Sequence, residues 1–219
     1  MNIIITGSSG LIGNKLFNHY SQEIYDNRVD GIDIENGHDL TNEKIIDDCL
    51  GWGDCDVLIN CFGLNNHITI NQNEDNLYTL SKRSFSEFMQ SNVTDLFNVC
   101  RRYAKYNSHG CVINFGSLYS HIMPDPKMSQ KHPGYVASKH AVIGLTQYLA
   151  KYIPHIRFNC ICPGGIENNQ PKEFIDKYID HTIIKRMCKI DDIIKACDYL
   201  IKSDYVTGQS IIVDGGYSL

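Results

Sequence analysis

The sequence lacks the long apolar runs and the concentrated positive charge that mark two large classes of protein. No apolar run approaches the roughly 18 to 20 residues that a membrane span needs. The N-terminus enters a strand pattern at once, without the basic and apolar regions of a signal peptide. The formal net charge is -5 and no basic stripe is present, which argues against nucleic acid as a partner. These absences predict a cytoplasmic protein that acts on small molecules.

Disulfide frameworks and metal sites are also disfavoured, although cysteine is not scarce. The nine cysteines are odd in number and most lie within apolar patterns, so we interpret them as reduced core residues. The close pair Cys160 and Cys162 lies on an apolar strand without a C-x-x-C or C-x-x-H partner, so no metal is predicted. The 219 residues, 42% of them hydrophobic, predict a single domain over 1–219 with a substantial core.

What the sequence does contain is a regular alternation of strand and helix patterns. Short apolar runs bounded by turn residues predict strands at 1–6, 29–34, 56–63, 110–117, 156–165 and 209–216. Amphipathic segments between them predict helices, so the fold class is α/β, with a parallel sheet and helices on both faces. Such sheets bind ligands beyond the carboxyl ends of their strands, which here carry Gly7, Asp33, Gly63, Ser117 and Pro163.

A glycine-rich turn, "TGSSGLIG", separates the first strand from the first helix. Its glycines, Gly7, Gly10 and Gly13, let the backbone turn tightly and direct free amide groups toward a pyrophosphate. Asp33, at the end of the second strand, is placed to accept hydrogen bonds from an adenosine ribose and to repel a 2′-phosphate. This favours NAD(H) over NADP(H). A plain turn and a solvated aspartate are the alternatives.

Tyr135 and Lys139 lie four residues apart on one helical face, within "HPGYVASKHAVIGL". An ammonium near a phenol favours the phenolate, so this pair predicts a lowered tyrosine pKa and a usable acid or base. Ser117 ends the strand before this helix, where it can bind a substrate oxygen. Asn92 lies in the middle of a predicted helix, where it can hold a water beside the lysine. An ordinary surface pair is the alternative interpretation.

Seven segments resemble the short-chain dehydrogenase/reductase family in content and in order: "TGSSGLIG", "NCFG", "SNV", "FGS", "YVASK", "CPGG" and "TGQSIIVDGG". The resemblance implies a Rossmann-type, doubly wound fold, a nicotinamide cofactor and a catalytic tetrad of Asn92, Ser117, Tyr135 and Lys139. It also implies further cofactor contacts along the strand ends, at Ser9, Leu11, Ile12, Asp39, Leu40, Asn60, Cys61, Gly63, Pro163, Gly164 and Ile166.

The chain departs from the family in three places. The glycine spacing is closer to the extended or sugar-nucleotide members. Only five residues separate Asp33 from Asp39, so the helix and strand that usually intervene are missing, and the edge strand after the second strand should be reduced or absent. Bulky Phe62 stands in "NCFG" where the family usually has a small residue.

The loop 118–133 and the segment 164–178 should form the mouth of the site. Both are similar to a subgroup linked to bacterial surface-glycan, flagellin-modification and nonulosonic acid pathways. The expected activity is NAD(H)-dependent interconversion of a secondary alcohol and a ketone on a sugar-like substrate, contacted by Tyr119, His67, Asn168 and Gln170. Alternatives are a sugar epimerase or dehydratase that uses the cofactor transiently, and a dinucleotide-sensing protein without turnover. The resemblance also suggests a homodimer or homotetramer formed through helices around 81–107 and 133–152.

Overall fold

Six parallel strands form the centre of the structure, a computed structural model that describes residues 1–22, 26–65, 77–126 and 131–219. The strands are β1 (Asn2–Thr6), β2 (Arg28–Ile32), β3 (Val57–Asn60), β4 (Gly110–Phe115), β5 (Ile156–Pro163) and β6 (Ser210–Val213). They pair in the order β2-β1-β3-β4-β5-β6. The order reverses between β1 and β3, which is the switch point at which doubly wound sheets bind ligands. The predicted α/β fold is confirmed.

Seven α-helices are described: α1 (Leu11–Tyr20), α2 (Glu43–Leu50), α3 (Lys82–Met89), α4 (Leu96–Tyr106), α5 (Pro133–Tyr152), α6 (Lys172–Asp180) and α7 (Ile190–Lys202). Local chemistry fixes several of their starts. Asn42 and Ser81 accept hydrogen bonds from the first-turn amides of α2 and α3. Pro133 opens α5, where its missing N–H costs nothing, and His132 caps the Gly134 amide. None of the described helices is both long and apolar enough to cross a membrane.

The core consists of two apolar layers, one on each face of the sheet. Alternate residues of β1 point to opposite faces, so Ile4 packs in the layer under α2, α4 and α5. Ile3 and Ile5 pack in the other layer, under α1 and α7. All nine cysteines are free thiols and seven are buried, as their positions in apolar patterns predicted.

The sheet ends at β2, which pairs only with β1 among the described residues. After β2 the chain makes one short 3-10 turn at Ile34–Asn36 and reverses at Gly37, whose φ of 82° suits glycine. It then enters α2. The prediction of an absent edge strand is therefore confirmed. Asp33 stays at the carboxyl end of β2 instead of being displaced.

The helical segment that the sequence predicts around 81–107 is more divided than the sequence indicates. A π-helical turn at Gln90–Asp95 separates α3 from α4. A 3-10 turn at Leu118–Ser120 opens the predicted loop after β4. The candidate substrate residue His67 lies outside the described residues.

Candidate active site

Close packing explains the glycines of the turn between β1 and α1. Gly7 has a φ of 66°, and a Cβ on it would lie 2.5 Å from the Phe62 amide nitrogen. A Cβ on Gly13 would lie 2.1 Å from the Gly7 carbonyl oxygen. Both distances are far below van der Waals contact, so this turn requires glycine at both positions.

The amino end of α1 offers unpaired backbone donors. Gly10 precedes the helix and has no side chain to cap it. The amides of Leu11, Ile12 and Gly13 have no acceptor among the described residues. Gly10, Leu11 and Ile12 line a cleft of about 890 Å³, the main cleft of the structure. The free donors and the positive end of the helix dipole therefore suit an anion such as a pyrophosphate.

A smaller cavity of about 400 Å³ lies beside the turn, at the carboxyl end of β2. Asp33 lines it, and its two carboxylate oxygens accept from the amides of Ser9 and Glu35, each at 3.0 Å. The Asp39 carboxylate accepts from the backbone and hydroxyl of Thr41 at 2.9 and 2.8 Å. The predicted cofactor residues on this cavity are Gly7, Ser9, Gly10, Asp33, Asp39, Leu40, Cys61 and Gly63.

The side chain of Asn60 lies behind the cavities instead of lining them. It is 1% exposed, accepts from the Thr6 hydroxyl at 3.0 Å and donates to Asn114 Oδ1 at 2.9 Å. These bonds tie the carboxyl ends of β1, β3 and β4 together. The predicted contact of Asn60 with a cofactor stays a prediction.

The main cleft, of about 890 Å³, lies beyond the carboxyl ends of β3, β4 and β5 and is lined by Tyr135, Ser117 and Lys139. Tyr135 is 7% exposed, and the Ser117 side chain lies close enough to the phenol to lower its pKa. Lys139, one turn further along α5, places Nζ 5.8 Å from the centroid of the Tyr135 ring. It donates to the Phe115 carbonyl oxygen at 2.8 Å. The predicted serine, tyrosine and lysine therefore meet in one cleft.

The expected lowering of the Tyr135 pKa is not present in this structure. Burial raises the pKa of the phenol above its usual value, and the hydrogen bond from Ser117 only partly opposes this effect. Burial also lowers the pKa of Lys139. Lys139 donates its hydrogen bond to the Phe115 carbonyl oxygen. Desolvation is the largest effect on the Tyr135 pKa.

Asn92 is buried in the π-helical turn, and its amide is already engaged. Its nitrogen donates to the Leu64 carbonyl at 3.1 Å and to Ser138 Oγ at 2.9 Å. Its oxygen accepts from the Leu64 amide at 2.7 Å. The side chain thus holds the segment after β3 against α5. Both of its donors are used within the protein, and its role in holding a water stays a prediction.

The opposite wall of the main cleft comes from the segment after β5. Pro163, Gly164 and Ile166 lie on this wall, with the candidate substrate residues Asn168 and Gln170. The third candidate, Tyr119, lines the cleft from the turn after β4. Gln170 bridges its own loop, since it donates to the Ile166 carbonyl and accepts from the Asn168 amide, both at 2.7 Å. Its amide therefore shapes the wall of the cleft.

Two further residues in this cleft were missed by sequence reasoning. Lys131 places Nζ 5.1 Å from the centroid of the Tyr135 ring and donates to Asn65 Oδ1 at 3.3 Å. Tyr178 accepts a hydrogen bond from the Gly165 amide and packs on the wall after β5. The only sequence signal for Lys131 is its position four residues before Tyr135.

The two cavities share Gly10, Cys61, Phe62, Gly63 and Leu64, so they form one trough from Asp33 to Tyr135. The unpaired amides of α1 suit a pyrophosphate at its centre, and the Asp33 carboxylate suits the hydroxyls of a ribose at one end. Phe62, the bulky residue of "NCFG", is among the residues that line both cavities. The residues present therefore fit a nicotinamide dinucleotide.

Comparison with known proteins gives consistent matches. The enoyl-(acyl carrier protein) reductase family model matches residues 28–218. Rat dehydrogenase/reductase SDR family member 6 is 30% identical over 181 residues, which cover 75% of this chain and 69% of that protein. A "Probable galactose dehydrogenase" of Rhizobium meliloti is 29% identical over 153 residues, 64% of this chain and 58% of that protein. A crystal structure of a short chain dehydrogenase of Leptospira borgpetersenii with bound NAD+ has a TM-score of 0.85 at 29% identity, covering 100% of this chain and 92% of that one.

Proposed function

Because this chain belongs to the short-chain dehydrogenase/reductase family of oxidoreductases, we propose that it interconverts a secondary alcohol and a ketone with a nicotinamide dinucleotide. One observation carries the proposal. The buried phenol of Tyr135 lies with Ser117 and Lys139 in a cleft that adjoins the cavity lined by Asp33. When bound, the dinucleotide supplies or accepts the hydride.

The chain's own residues would bind and orient the reactants. The amides at the start of α1 would hold the pyrophosphate, and Asp33 would accept from the adenosine ribose. Pro163, Gly164 and Ile166 would contact the nicotinamide side. Lys139, next to Tyr135 on α5, would bind the second ribose. Several of these contacts come from backbone groups fixed by the sheet, so the trough is largely preorganised.

Proton transfer would occur at the phenol oxygen of Tyr135. Ser117 would hold the substrate oxygen beside it, because both side chains line the same cleft. Burial favours the neutral phenol, and a neutral phenol donates a proton. Tyr135 would therefore protonate the oxygen when a ketone is reduced, and the same phenol oxygen would exchange that proton when the alcohol is oxidised.

The protonation state of Tyr135 can be measured in the dinucleotide-free protein. Because burial raises its pKa, the phenol should stay neutral through neutral pH and ionise only above the usual tyrosine value of about 10. The measurement is an ultraviolet titration of the wild-type protein minus that of Tyr135→Phe, which removes the signal of the other tyrosines. A phenolate difference signal at pH 7 to 8 would show that Lys139 lowers this pKa, as the sequence alone suggested.

We propose that the protein prefers NAD(H) to NADP(H). The Asp33 carboxylate would accept hydrogen bonds from the ribose of NAD(H) and would repel the 2′-phosphate of NADP(H). Asp33→Asn keeps the shape and one acceptor oxygen but removes the charge. We expect the ratio of NADH to NADPH affinity to fall about 10-fold, a loss of roughly 1.4 kcal/mol in discrimination. Fluorescence titration of both reduced cofactors measures this. Asp30→Asn, on β2 but outside the trough, makes the same charge change and should leave the ratio of NADH to NADPH affinity unaltered. An equal fall of this ratio in both variants would contradict the assignment of Asp33 to the adenosine ribose.

The substrate that fits the proposal is a sugar or another polyhydroxylated alcohol. The cleft carries the polar side chains of Asn65, Tyr119 and Asn168 beside Tyr135. The similar protein of Rhizobium meliloti bears the name of a galactose dehydrogenase. A screen of free sugars and nucleotide sugars, followed by the absorbance of reduced nicotinamide, tests this substrate class. A role in surface-glycan synthesis, in the cytoplasm, remains a prediction.

The assembly that fits the proposal is a single domain over 1–219 that forms a homodimer or homotetramer. All described strands belong to one sheet, which supports a single domain. Helices α4 and α5 expose Phe97, Tyr148 and Tyr152, and the last two rings stack 4.4 Å apart. Exposed aromatic side chains are common at subunit contacts, so these helices are the proposed interface.

A further inference from the structure

The sheet has an open edge at β2. This strand pairs with β1 on one side, and no strand among the described residues pairs with its other side. The Arg28 amide and the Ile32 carbonyl oxygen form hydrogen bonds of 3.0 and 2.8 Å with the residues that flank β1. Because backbone groups alternate along a strand, the N–H and C=O groups of Val29 and Gly31 point the other way, outward from the sheet.

Two side chains of opposite charge stand at this edge. Arg28 and Asp30 lie on the same face of β2, because they are two residues apart. Arg28 Nε lies 3.1 Å from Asp30 Oδ2, and the two side chains are 57% and 54% exposed. Such an exposed ion pair adds little to the stability of one chain. Both charges can therefore also meet those of a strand that is added to this edge.

An exposed aromatic ring lies beside the two charges. Trp52, just after α2, is 72% exposed, and the Arg28 guanidinium carbon lies 5.1 Å from the centroid of its ring. Arg28, Asp30 and Trp52 line a groove of about 650 Å³ on this face of the sheet. Tryptophan and arginine are enriched among the residues that dominate protein–protein interfaces. The β2 edge thus has the side chains of an interface as well as unpaired backbone groups.

The β2 strand is complementary to itself when two copies run antiparallel. A two-fold axis at Val29 sets the outward backbone groups of Val29 opposite those of the partner's Val29, where they can form hydrogen bonds. The same axis sets Arg28 opposite the partner's Asp30, and Asp30 opposite the partner's Arg28. At these positions the Cα atoms of antiparallel strands approach to about 4.5 Å and the side chains are closest. Both opposed pairs are attractive.

The neighbouring registers are unfavourable. An axis at Asp30 would set two aspartates opposite each other, and an axis at Arg28 would do the same with two arginines. Like charges directly opposite each other destabilise a strand pair. An axis at Gly31 would set Val29 opposite the partner's Asp33, but the Asp33 carbonyl oxygen already accepts two backbone amides of the turn after β2. The charges and the backbone therefore select one register.

We propose that the β2 edge binds the same edge of a second copy of this chain, antiparallel and centred on Val29, so that the two sheets join into one. A second copy is the partner that the observations favour, since it supplies both opposite charges and the outward backbone groups in register. The contact is separate from the one proposed for α4 and α5, and either can form without the other. Arg28 and Asp30 do not line the main cleft, so the contact is also independent of the proposed reaction.

Charge reversal followed by mixing tests this inference. Asp30→Arg gives the edge two positive charges and Arg28→Asp gives it two negative charges, so each variant opposes like charges when it pairs with itself. We expect the dissociation constant of the β2 contact, measured by analytical ultracentrifugation, to rise about 10- to 100-fold in each variant. An equimolar mixture of the two variants should associate about as tightly as the wild-type protein, because every charge then faces its opposite.

Hydrogen exchange provides a second readout on the wild-type protein. The amides of Val29 and Gly31 point outward in the single chain, so their exchange should slow when the protein is concentrated enough to associate. The Arg28 amide already bonds to the residue before β1 and should change little. Equal exchange of the Val29 and Gly31 amides in dilute and associated protein would contradict strand pairing at this edge.

Glu173→Lys and Lys177→Glu are the matched control, because they reverse an exposed ion pair on α6. Neither variant nor their mixture should change association. If the protein also associates through α4 and α5, the β2 variants should lose one association step and keep the other. The inference is overturned if the wild-type protein stays monomeric, if both reversals associate as tightly as the wild-type protein, or if their mixture associates no more tightly than each alone. Recovery in the mixture supports the inference whether or not any substrate is turned over.

Discussion

Replacing Tyr135 with phenylalanine is expected to lower kcat by about 10²- to 10⁴-fold, the usual contribution of a positioned general acid or base. The phenol is buried in the cleft, and its removal takes the proposed proton donor away from the substrate oxygen. The ring remains, and the cofactor contacts of α1 and Asp33 are untouched. NADH affinity should therefore change by less than about twofold, which is within 0.5 kcal/mol.

Steady-state kinetics and a fluorescence titration of NADH, made on the same preparations, measure the two quantities separately. Tyr199→Phe is the matched control, because Tyr199 lies on α7, outside the cleft, and is 52% exposed. It removes the same oxygen atom and should leave both quantities unchanged. A Tyr135→Phe protein with full turnover would eliminate Tyr135 as the proton donor. Loss of NADH binding in that variant would mean that the phenol has a different, structural role.

Replacing Gly13 with alanine is expected to weaken NADH binding by about 10- to 100-fold, because displacing a binding group by a fraction of an ångström has effects of this size. The added Cβ would lie 2.1 Å from the Gly7 carbonyl oxygen, so the glycine turn or the start of α1 must move. Alanine gains about 1 kcal/mol over glycine in a helix interior. Forcing a methyl group into a packed site costs about 1 to 3 kcal/mol, so the free energy of unfolding should also fall.

Gly144 provides the matched comparison, since it also lies inside a helix but a Cβ there would have no atom within 4 Å. Gly144→Ala should raise the free energy of unfolding by up to about 1 kcal/mol and leave NADH binding unaltered. Denaturant unfolding and NADH titration of the two variants give opposite expected signs for stability. If Gly13→Ala binds NADH as well as the wild-type protein does, the turn before α1 is not the cofactor site.

The parts of the fold that the sequence predicted depend on local patterns. The strand runs, the glycine turn and the short connection between Asp33 and Asp39 are each written within a few neighbouring residues. The structure confirms the sheet, its helices on both faces and the absent edge strand. The ends of the helices and strands in the structure differ from the predicted ends by a few residues. A capping residue fixes such an end, as Ser81 does at the start of α3.

The parts that the sequence did not predict depend on contacts between distant segments. The direction of the Tyr135 pKa shift follows from how deeply α5 is packed, which the four-residue spacing to Lys139 does not contain. Asn92 meets Leu64 and Ser138 only after folding, so its amide looked available in the sequence. Lys131 looked like an ordinary loop lysine, because its position near the Tyr135 ring is set by the loop before α5.

Net formation of reduced nicotinamide tests the central claim most directly, because it separates an oxidoreductase from an enzyme that only borrows the cofactor and from a dinucleotide sensor. The wild-type protein is mixed with an excess of NAD+ and, in turn, each probe of the screen of free sugars and nucleotide sugars, and the absorbance of reduced nicotinamide is followed. The account predicts that NADH accumulates to many times the enzyme concentration, with an equivalent amount of ketone product. Conversion of the probe without accumulation of NADH, or binding of NAD+ with no change in any probe, would contradict it.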